Sequence, residues 1–319
     1  MDTRPVLSAA QSTGFDLRRV IIFCLFAYGI SGAAALFIAL NGGLNGQLGQ
    51  WTFLVLAAWY MPGPALANLL TRLVTGEGFG DLWLRPKFRS GRSAWLGAWV
   101  LPWLLVVAGA GVYFVFFPQH FDGSLSAVQQ FFAQTEQQTG QAVPLTPWTF
   151  VAIQLAQALL IAPLVNAVPT LGEEFGWRAY LQQKFLVLGW RRAMLWMGLI
   201  WGAWHWPILA IGYNYGLDYA GAPWLGMVLF VWITFHLGVL FGWLTLRGQS
   251  VWPAVIGHGA FNGIAAIGAL FVQGEPHPLL GPLAIGLIAS LPLALVGTWL
   301  WLRAPGVDHT PLDPATPAD

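Results

Sequence analysis

Two adjacent carboxylates and an arginine stand out in a chain that carries very little charge. Glu173 and Glu174 are followed by Arg178, although only 8% of the 319 residues are Asp, Glu, Lys or Arg and 57% are apolar. A carboxylate removed from water is costly unless it is partnered, so an acidic pair at the end of an apolar helix indicates a functional site. The alternative interpretation is a polar helix end from which Arg178 reaches the lipid headgroups.

Helical geometry separates the two glutamates. Glu174 and Arg178 stand at i, i+4 and can form an ion pair on one face of a helix. Glu173 lies about 100° round the helix from Glu174 and therefore faces other partners.

Three further polar residues lie inside apolar segments. His205 comes shortly before Pro207, whose missing N–H leaves a carbonyl of the preceding turn without its helical partner. His258 and Asn262 stand at i, i+4 and share a helix face. Taken singly, each histidine also fits a hydrogen-bonded structural role. Together, a carboxylate and a histidine can deprotonate a water, and a His/Asn pair can stabilise an oxyanion, which favours peptide hydrolysis by activated water.

The elements that must position these residues are membrane-spanning helices. Eight apolar segments are long enough to cross about 30 Å of hydrocarbon. They lie near 20–40, 51–74, 94–117, 148–170, 193–211, 223–246, 251–271 and 281–302. The fourth helix is expected to continue to about 182 and to bend at Pro163 and Pro169, so that the glutamates meet both histidines. We predict an all-α polytopic membrane protein.

The distribution of cations predicts the orientation. With eight spans, all 14 Lys and Arg residues fall at the termini or in loops on the same side of the membrane as the termini. The positive-inside rule then places both termini in the cytoplasm of a multi-pass cell-membrane protein. The net charge of +1 and the absence of a basic, aromatic-interleaved patch argue against a nucleic-acid partner.

The motifs resemble the signature of the CAAX-protease and bacteriocin-processing family (CPBP, or Abi) of intramembrane proteases, which is related to the Ras-converting CAAX endopeptidase. In this chain they read Glu173-Glu174-x-x-x-Arg178, Trp201-x-x-x-His205 and His258-x-x-x-Asn262. The resemblance covers about 148–271. One departure is Trp201, because the second motif of the family usually begins with Phe.

The resemblance implies a role for each residue of the motifs. Glu173 with His205 would activate the water, and His258 with Asn262 would form the oxyanion hole. Glu174 would orient its neighbours, and Arg178 would hold the carboxylate charge.

The resemblance also implies the substrates. These are peptides or proteins reached from the lipid bilayer, with prenylated C-termini or bacteriocin-type precursors as the classes of the family. Glu and His are suitable zinc ligands, so a zinc metalloprotease stays an alternative. No His-Glu-x-x-His motif occurs, and we favour a glutamate-dependent enzyme without a cofactor.

The chain divides into five predicted regions. These are a cytoplasmic N-terminal segment 1–19, an N-terminal membrane region 20–147 with three spans, a catalytic core 148–271, a last transmembrane helix 281–303 and a disordered tail 304–319. Within the second region, we interpret the cytoplasmic segment 76–92 and the outer loop 118–147 as solvated linkers rather than as an interfacial segment and a cap.

Two other functions use the same residues. A proton-coupled transporter could employ the Glu and His groups as a relay, but neither repeat symmetry nor paired discontinuous helices are visible in the sequence. A non-catalytic immunity or scaffold protein of the same fold would retain the motifs as relics, although every reactive group is present.

Overall fold

The structure, a computed structural model, describes residues 14–303. This part of the chain consists of helices, turns and loops, with no strand and a single isolated bridge between Phe121 and Val272. The predicted all-α class is confirmed. The predicted tail, 304–319, and residues 1–13 of the predicted N-terminal segment lie outside the described residues.

The α-helices are α1 Leu17–Leu40, α2 Trp51–Val55, α3 Gly63–Thr75, α4 Arg92–Phe116, α5 Ser126–Thr139, α6 Pro147–Leu160, α7 Ala162–Val165, α8 Ala167–Gly176, α9 Gln182–Phe185, α10 Trp190–Trp204, α11 Trp206–Leu209, α12 Trp224–Gly248, α13 Trp252–Ile264 and α14 Leu291–Leu302. π-Helical turns cover Leu56–Tyr60 and Trp177–Leu181, and 3-10 turns cover Pro118–His120, Leu186–Leu188 and Ile267–Phe271.

Five helical stretches of the described chain are long and apolar enough to cross a membrane. They are Leu17–Leu40, Trp51–Thr75, Arg92–Phe116, Trp224–Gly248 and Trp252–Phe271. They coincide with five of the predicted spans and confirm a multi-pass membrane protein. The other predicted spans contain the shorter helices α6, α10 and α14. The count of eight and the cytoplasmic placement of the termini stay predictions.

The predicted start of the last membrane-spanning helix is wrong. α14 begins only at Leu291, and the residues from 281 onward form turns instead. Gly281 has a φ of 139°, a backbone conformation that is not helical and that glycine adopts without strain. The apolar composition of this stretch therefore indicates burial and not a continuous helix.

The helix that carries the glutamates is broken into short pieces. α6 ends at Leu160, α7 has four residues, and α8 begins at Ala167. Pro163 lies in the first turn of α7, where its missing N–H costs no hydrogen bond, and the helix is interrupted directly before this turn. Pro169 lies in the first turn of α8 and does not interrupt it. The helix then continues through the π-helical turn and α9 to Phe185, beyond the predicted end.

Close contacts hold α8 between α3 and α13. Gly176 lies directly against Pro64 of α3, where a Cβ atom at residue 176 would overlap the Pro64 carbonyl oxygen. On the other side, Thr170 Oγ1 donates a hydrogen bond to the Val255 carbonyl oxygen at 3.0 Å. Because one contact requires glycine and the other joins two buried residues, the position of α8 in the bundle is closely defined.

The outer loop 118–147 is not the solvated linker that we expected. It contains α5, and Leu125 and Val128 are buried in a small apolar cluster with Val151, against which Phe132 also packs. Val128 and Phe132 stand at i, i+4 on one face of α5, as in an amphipathic helix, and Leu125 lies directly before its first residue. The polar, Gln-rich composition of the loop therefore describes only its exposed face.

Segment 76–92, which is predicted to be cytoplasmic, is also packed against the bundle. The backbone N–H of Val251 donates to the Trp83 carbonyl at 2.9 Å, and Trp252 Nε1 donates to the Leu84 carbonyl at 2.7 Å. These bonds attach the segment to the beginning of α13, so the interpretation as a solvated linker is wrong here too.

Candidate active site

Glu173, Glu174 and Arg178 lie on α8 and its π-helical continuation. Their exposed fractions are 3%, 0% and 0%. The π-helical turn begins directly before Arg178, and such turns occur frequently at functional sites. Charged side chains with so little exposed surface require partners from neighbouring helices, because an unpaired buried charge is strongly destabilising.

Glu174 connects His258 with Arg178. Its Oε1 lies 2.9 Å from His258 Nδ1, and its Oε2 lies 3.2 Å from Arg178 Nε, so the ion pair predicted from the i, i+4 spacing is present. A carboxylate only accepts hydrogen bonds, which places a hydrogen on His258 Nδ1. Nε2 is consequently the nitrogen through which His258 can act on another group.

Glu173 is held by a different helix. Trp201 Nε1, on α10, donates a hydrogen bond to Glu173 Oε2 at 2.9 Å. The two adjacent glutamates therefore face different partners, as the rotation between neighbouring helix positions predicts. With Oε2 engaged, Oε1 is the oxygen with which Glu173 can accept a proton.

His205 lies at the junction between α10 and α11 and is half-buried. Its Nδ1 donates to the Trp201 carbonyl oxygen at 2.8 Å, which leaves Nε2 as the acceptor nitrogen of the neutral ring. Pro207 lies in the first turn of α11. The interruption expected before this proline is therefore present, and His205 occupies it.

Aromatic rings enclose the charged groups. The guanidinium carbon of Arg178 lies 4.5 Å from the ring centroid of Trp201 and 5.8 Å from that of Phe241. The ring of His258 stacks on Phe241 at 5.4 Å and meets Trp201 edge-on at 5.5 Å. These contacts exclude water, and electrostatic interactions among the enclosed groups are correspondingly stronger.

Asn262 is the one predicted site residue that is not part of this cluster. It follows His258 by one turn of α13, yet its side chain is exposed and forms no hydrogen bond with the part of the chain that the structure describes. Sharing a helix face with His258 is thus not enough to bring Asn262 to Glu173 or Glu174. Its carboxamide is instead accessible to a ligand.

Two residues of α3 support the site and were not singled out from the sequence. Arg72 Nε donates to Asn68 Oδ1 at 2.7 Å, and Asn68 Nδ2 donates to the Phe175 carbonyl at 2.8 Å, next to the glutamates. Arg72 Nη1 also binds Asp81 Oδ1 at 2.6 Å. The available signal was an Asn and an Arg at i, i+4 within an apolar span.

No three His, Cys, Asp or Glu side chains are grouped as metal ligands within residues 14–303. Glu174 and His258 form a hydrogen bond with each other, and Glu173 accepts one from Trp201. The donor set suggested for zinc therefore does not fit as arranged here, and no catalytic step is derived through a metal.

The candidate site thus consists of buried carboxylate, arginine and imidazole groups between the helices of a multi-pass membrane protein. Residues 148–264 match the family model described as Rce1-like, type II CAAX prenyl endopeptidase Rce1-like. This segment contains all six predicted site residues, and the resemblance indicated by the three motifs is confirmed. Residues 148–264 are therefore similar to a type II CAAX prenyl endopeptidase domain. None of the curated proteins compared with the chain matches it.

Proposed function

We propose that this protein is an intramembrane endopeptidase in which Glu173 and His205 activate the water that hydrolyses the peptide bond. The observation that carries the proposal is that both groups are held by one residue. Trp201 binds Glu173 through its indole N–H and His205 through its carbonyl oxygen. These bonds engage Glu173 Oε2 and His205 Nδ1, so Oε1 and Nε2 are the atoms suited to proton transfer.

The reaction then needs no Ser or Cys nucleophile. Glu173 Oε1 accepts a proton from water as the water oxygen forms a bond to the scissile carbonyl carbon, and His205 Nε2 accepts the second O–H and orients the water. The carbonyl oxygen becomes an oxyanion. When the C–N bond breaks, the proton held by Glu173 passes to the leaving nitrogen, giving a carboxylic acid and an amine.

His258 and Asn262 are proposed to stabilise the oxyanion. His258 Nδ1 is engaged by the Glu174 carboxylate, so Nε2 is the nitrogen that faces the oxyanion, and it donates a hydrogen bond when the ring carries both protons. Arg178 balances the charge of Glu174 on its other side. The accessible carboxamide of Asn262 supplies a second donor once a substrate covers it.

A prenylated protein C-terminus is the substrate class that we propose. Leu164, Val165 and Val168, which precede the glutamates on α7 and α8, are 57%, 64% and 79% exposed. An apolar surface next to the site suits a chain that carries a lipid partitioned into the bilayer. We propose a site in the cytoplasmic half of the cell membrane, with both termini cytoplasmic, because the cations concentrate on that side. Bacteriocin-type peptides are the second class to be assayed.

Cleavage of a prenylated reporter peptide by the purified protein in liposomes tests this function. Glu173→Gln and His205→Ala should each lower kcat by about 10²–10⁴-fold. Glu136→Gln is the matched control, because Glu136 is an exposed glutamate on α5. Full activity of Glu173→Gln would refute the proposal. A pH-gradient-driven flux without cleavage would instead favour a transporter, and a cellular phenotype insensitive to both substitutions would favour a non-catalytic role.

We further propose that the enzyme depends on glutamate and not on a bound metal. The partners already present on Glu173, Glu174 and His258 support this proposal. Activity should survive treatment with a zinc chelator, and the purified protein should contain substoichiometric zinc. Inactivation by the chelator with recovery on adding Zn²⁺ would identify a metalloprotease.

A further inference from the structure

Trp201 contacts four residues of the candidate active site, namely Glu173, His205, Arg178 and His258. It is only 2% exposed, and its indole N–H donates to Glu173 Oε2 at 2.9 Å. Its carbonyl oxygen accepts from His205 Nδ1 at 2.8 Å. One residue thus sets the position of both groups assigned to the water.

The ring of Trp201 has a separate role from its N–H. The Arg178 guanidinium carbon lies 4.5 Å from its centroid, and the His258 ring meets it edge-on at 5.5 Å. A phenylalanine at this position would retain an aromatic face for Arg178 and the backbone carbonyl for His205. It would lack the N–H, and Glu173 Oε2 would lose a charge-assisted hydrogen bond in a buried setting.

We propose that Trp201 is a positioning residue whose indole N–H fixes the Glu173 carboxylate with Oε1 directed to the attacking water. This inference rests on the proposed function, because it concerns the reactivity of Glu173 as a base. A carboxylate without this donor would rotate among several arrangements and would be correctly oriented for only part of the time.

The experiment compares Trp201→Phe with Trp177→Phe in the liposome assay. Trp177 is the matched control, because it is a fully buried tryptophan on the same helix as Arg178 whose Nε1 bonds to none of the described residues. Trp201→Phe should lower kcat by about 10- to 100-fold, as expected for a lost hydrogen bond to a charged group. KM should stay within twofold of wild type.

The pH dependence of kcat/KM distinguishes a positioning role of the Trp201 N–H from a role of the Trp201 ring in packing. Removing a donor that favours the charged carboxylate should move the acid limb of kcat/KM to higher pH in Trp201→Phe and leave it in place in Trp177→Phe. A matched loss in both variants with an unmoved acid limb would overturn the inference and show that only packing matters. Wild-type kcat in Trp201→Phe would overturn it as well.

A second substitution covers the case in which Trp201→Phe fails to fold. Replacing Trp201 with 3-benzothienylalanine keeps the bicyclic ring and exchanges the N–H for sulfur. The same loss in kcat and the same shift of the acid limb are expected, and wild-type behaviour would refute the role of the N–H. Failure of the proposed function looks different, since Glu173→Gln would then cleave as fast as wild type.

Discussion

Replacing Glu174 with glutamine removes the charge that balances Arg178 and preserves the shape of the side chain. Neither residue has exposed surface, and Glu174 Oε2 lies 3.2 Å from Arg178 Nε. None of the guanidinium nitrogens forms a hydrogen bond with the residues that the structure describes. The Glu174 charge and the rings of Trp201 and Phe241 are therefore what stabilises this cation.

We expect Glu174→Gln to lower the free energy of unfolding by about 3–5 kcal/mol, the usual cost of leaving one member of a buried ion pair without its partner. The double variant Glu174→Gln/Arg178→Met removes both charges, and an apolar replacement of a buried pair is often close to neutral. It should therefore be more stable than Glu174→Gln alone. Glu136→Gln, an exposed substitution, should lie within about 0.5 kcal/mol of wild type.

Equilibrium unfolding in mixed micelles, followed by tryptophan fluorescence, gives the free energies of five proteins: wild type, Glu174→Gln, Arg178→Met, the double variant and the control Glu136→Gln. The difference between the double variant and the sum of the single variants is the coupling energy of the pair. A loss for Glu174→Gln in the range of exposed ion pairs, about 0–1 kcal/mol, would refute the reasoning. Strict additivity of the two substitutions would refute it as well.

Three further predictions concern separate parts of the molecule. Asn262→Ala should lower kcat by about 10²–10³-fold in the reporter assay without changing stability, because its exposed carboxamide contributes only to the oxyanion hole; unchanged kcat would contradict this role. Gly176→Ala should lower the free energy of unfolding by about 1–3 kcal/mol, because its methyl group would overlap a carbonyl of α3, and wild-type stability would contradict the close approach. Hydrogen bonds from Ser124 and Ser126 hold the pKa of Asp122 below its usual range. The charged carboxylate therefore stabilises the outer loop above the ordinary pKa of Asp and loses this effect as the pH falls through the lowered value. Hydrogen exchange in α5 should report that loss, and Asp122→Asn should abolish its pH dependence.

Much of the site was predictable because its motifs are local. The i, i+4 spacing indicated the Glu174–Arg178 pair, and the rotation between neighbouring residues indicated that Glu173 faces elsewhere. The i, i+4 spacing also placed Asn262 on the same helix face as His258, but it did not indicate that the Asn262 side chain is exposed. A helical face specifies a direction on one helix, whereas burial depends on which helix covers that direction.

Composition was less informative for the connecting segments. The polar loop 118–147 contains α5, because a few apolar residues in and directly before the helix, Leu125, Val128 and Phe132, are enough to attach it to the apolar cluster around Val151. The residues from 281 to 290 form turns although most of them are apolar, and they begin at Gly281, whose φ of 139° is not helical.

Composition and short-range spacing were enough to predict the membrane class, the helical secondary structure and the side chains of the candidate site. These properties follow from composition and from periodicities of three or four residues, which act within a single helix. Which partner each glutamate contacts depends on the tertiary structure. The hydrogen bonds from Trp201 to Glu173 and from His258 to Glu174 span 28 and 84 residues, and only the tertiary packing of the bundle brings these atoms of α8, α10 and α13 together.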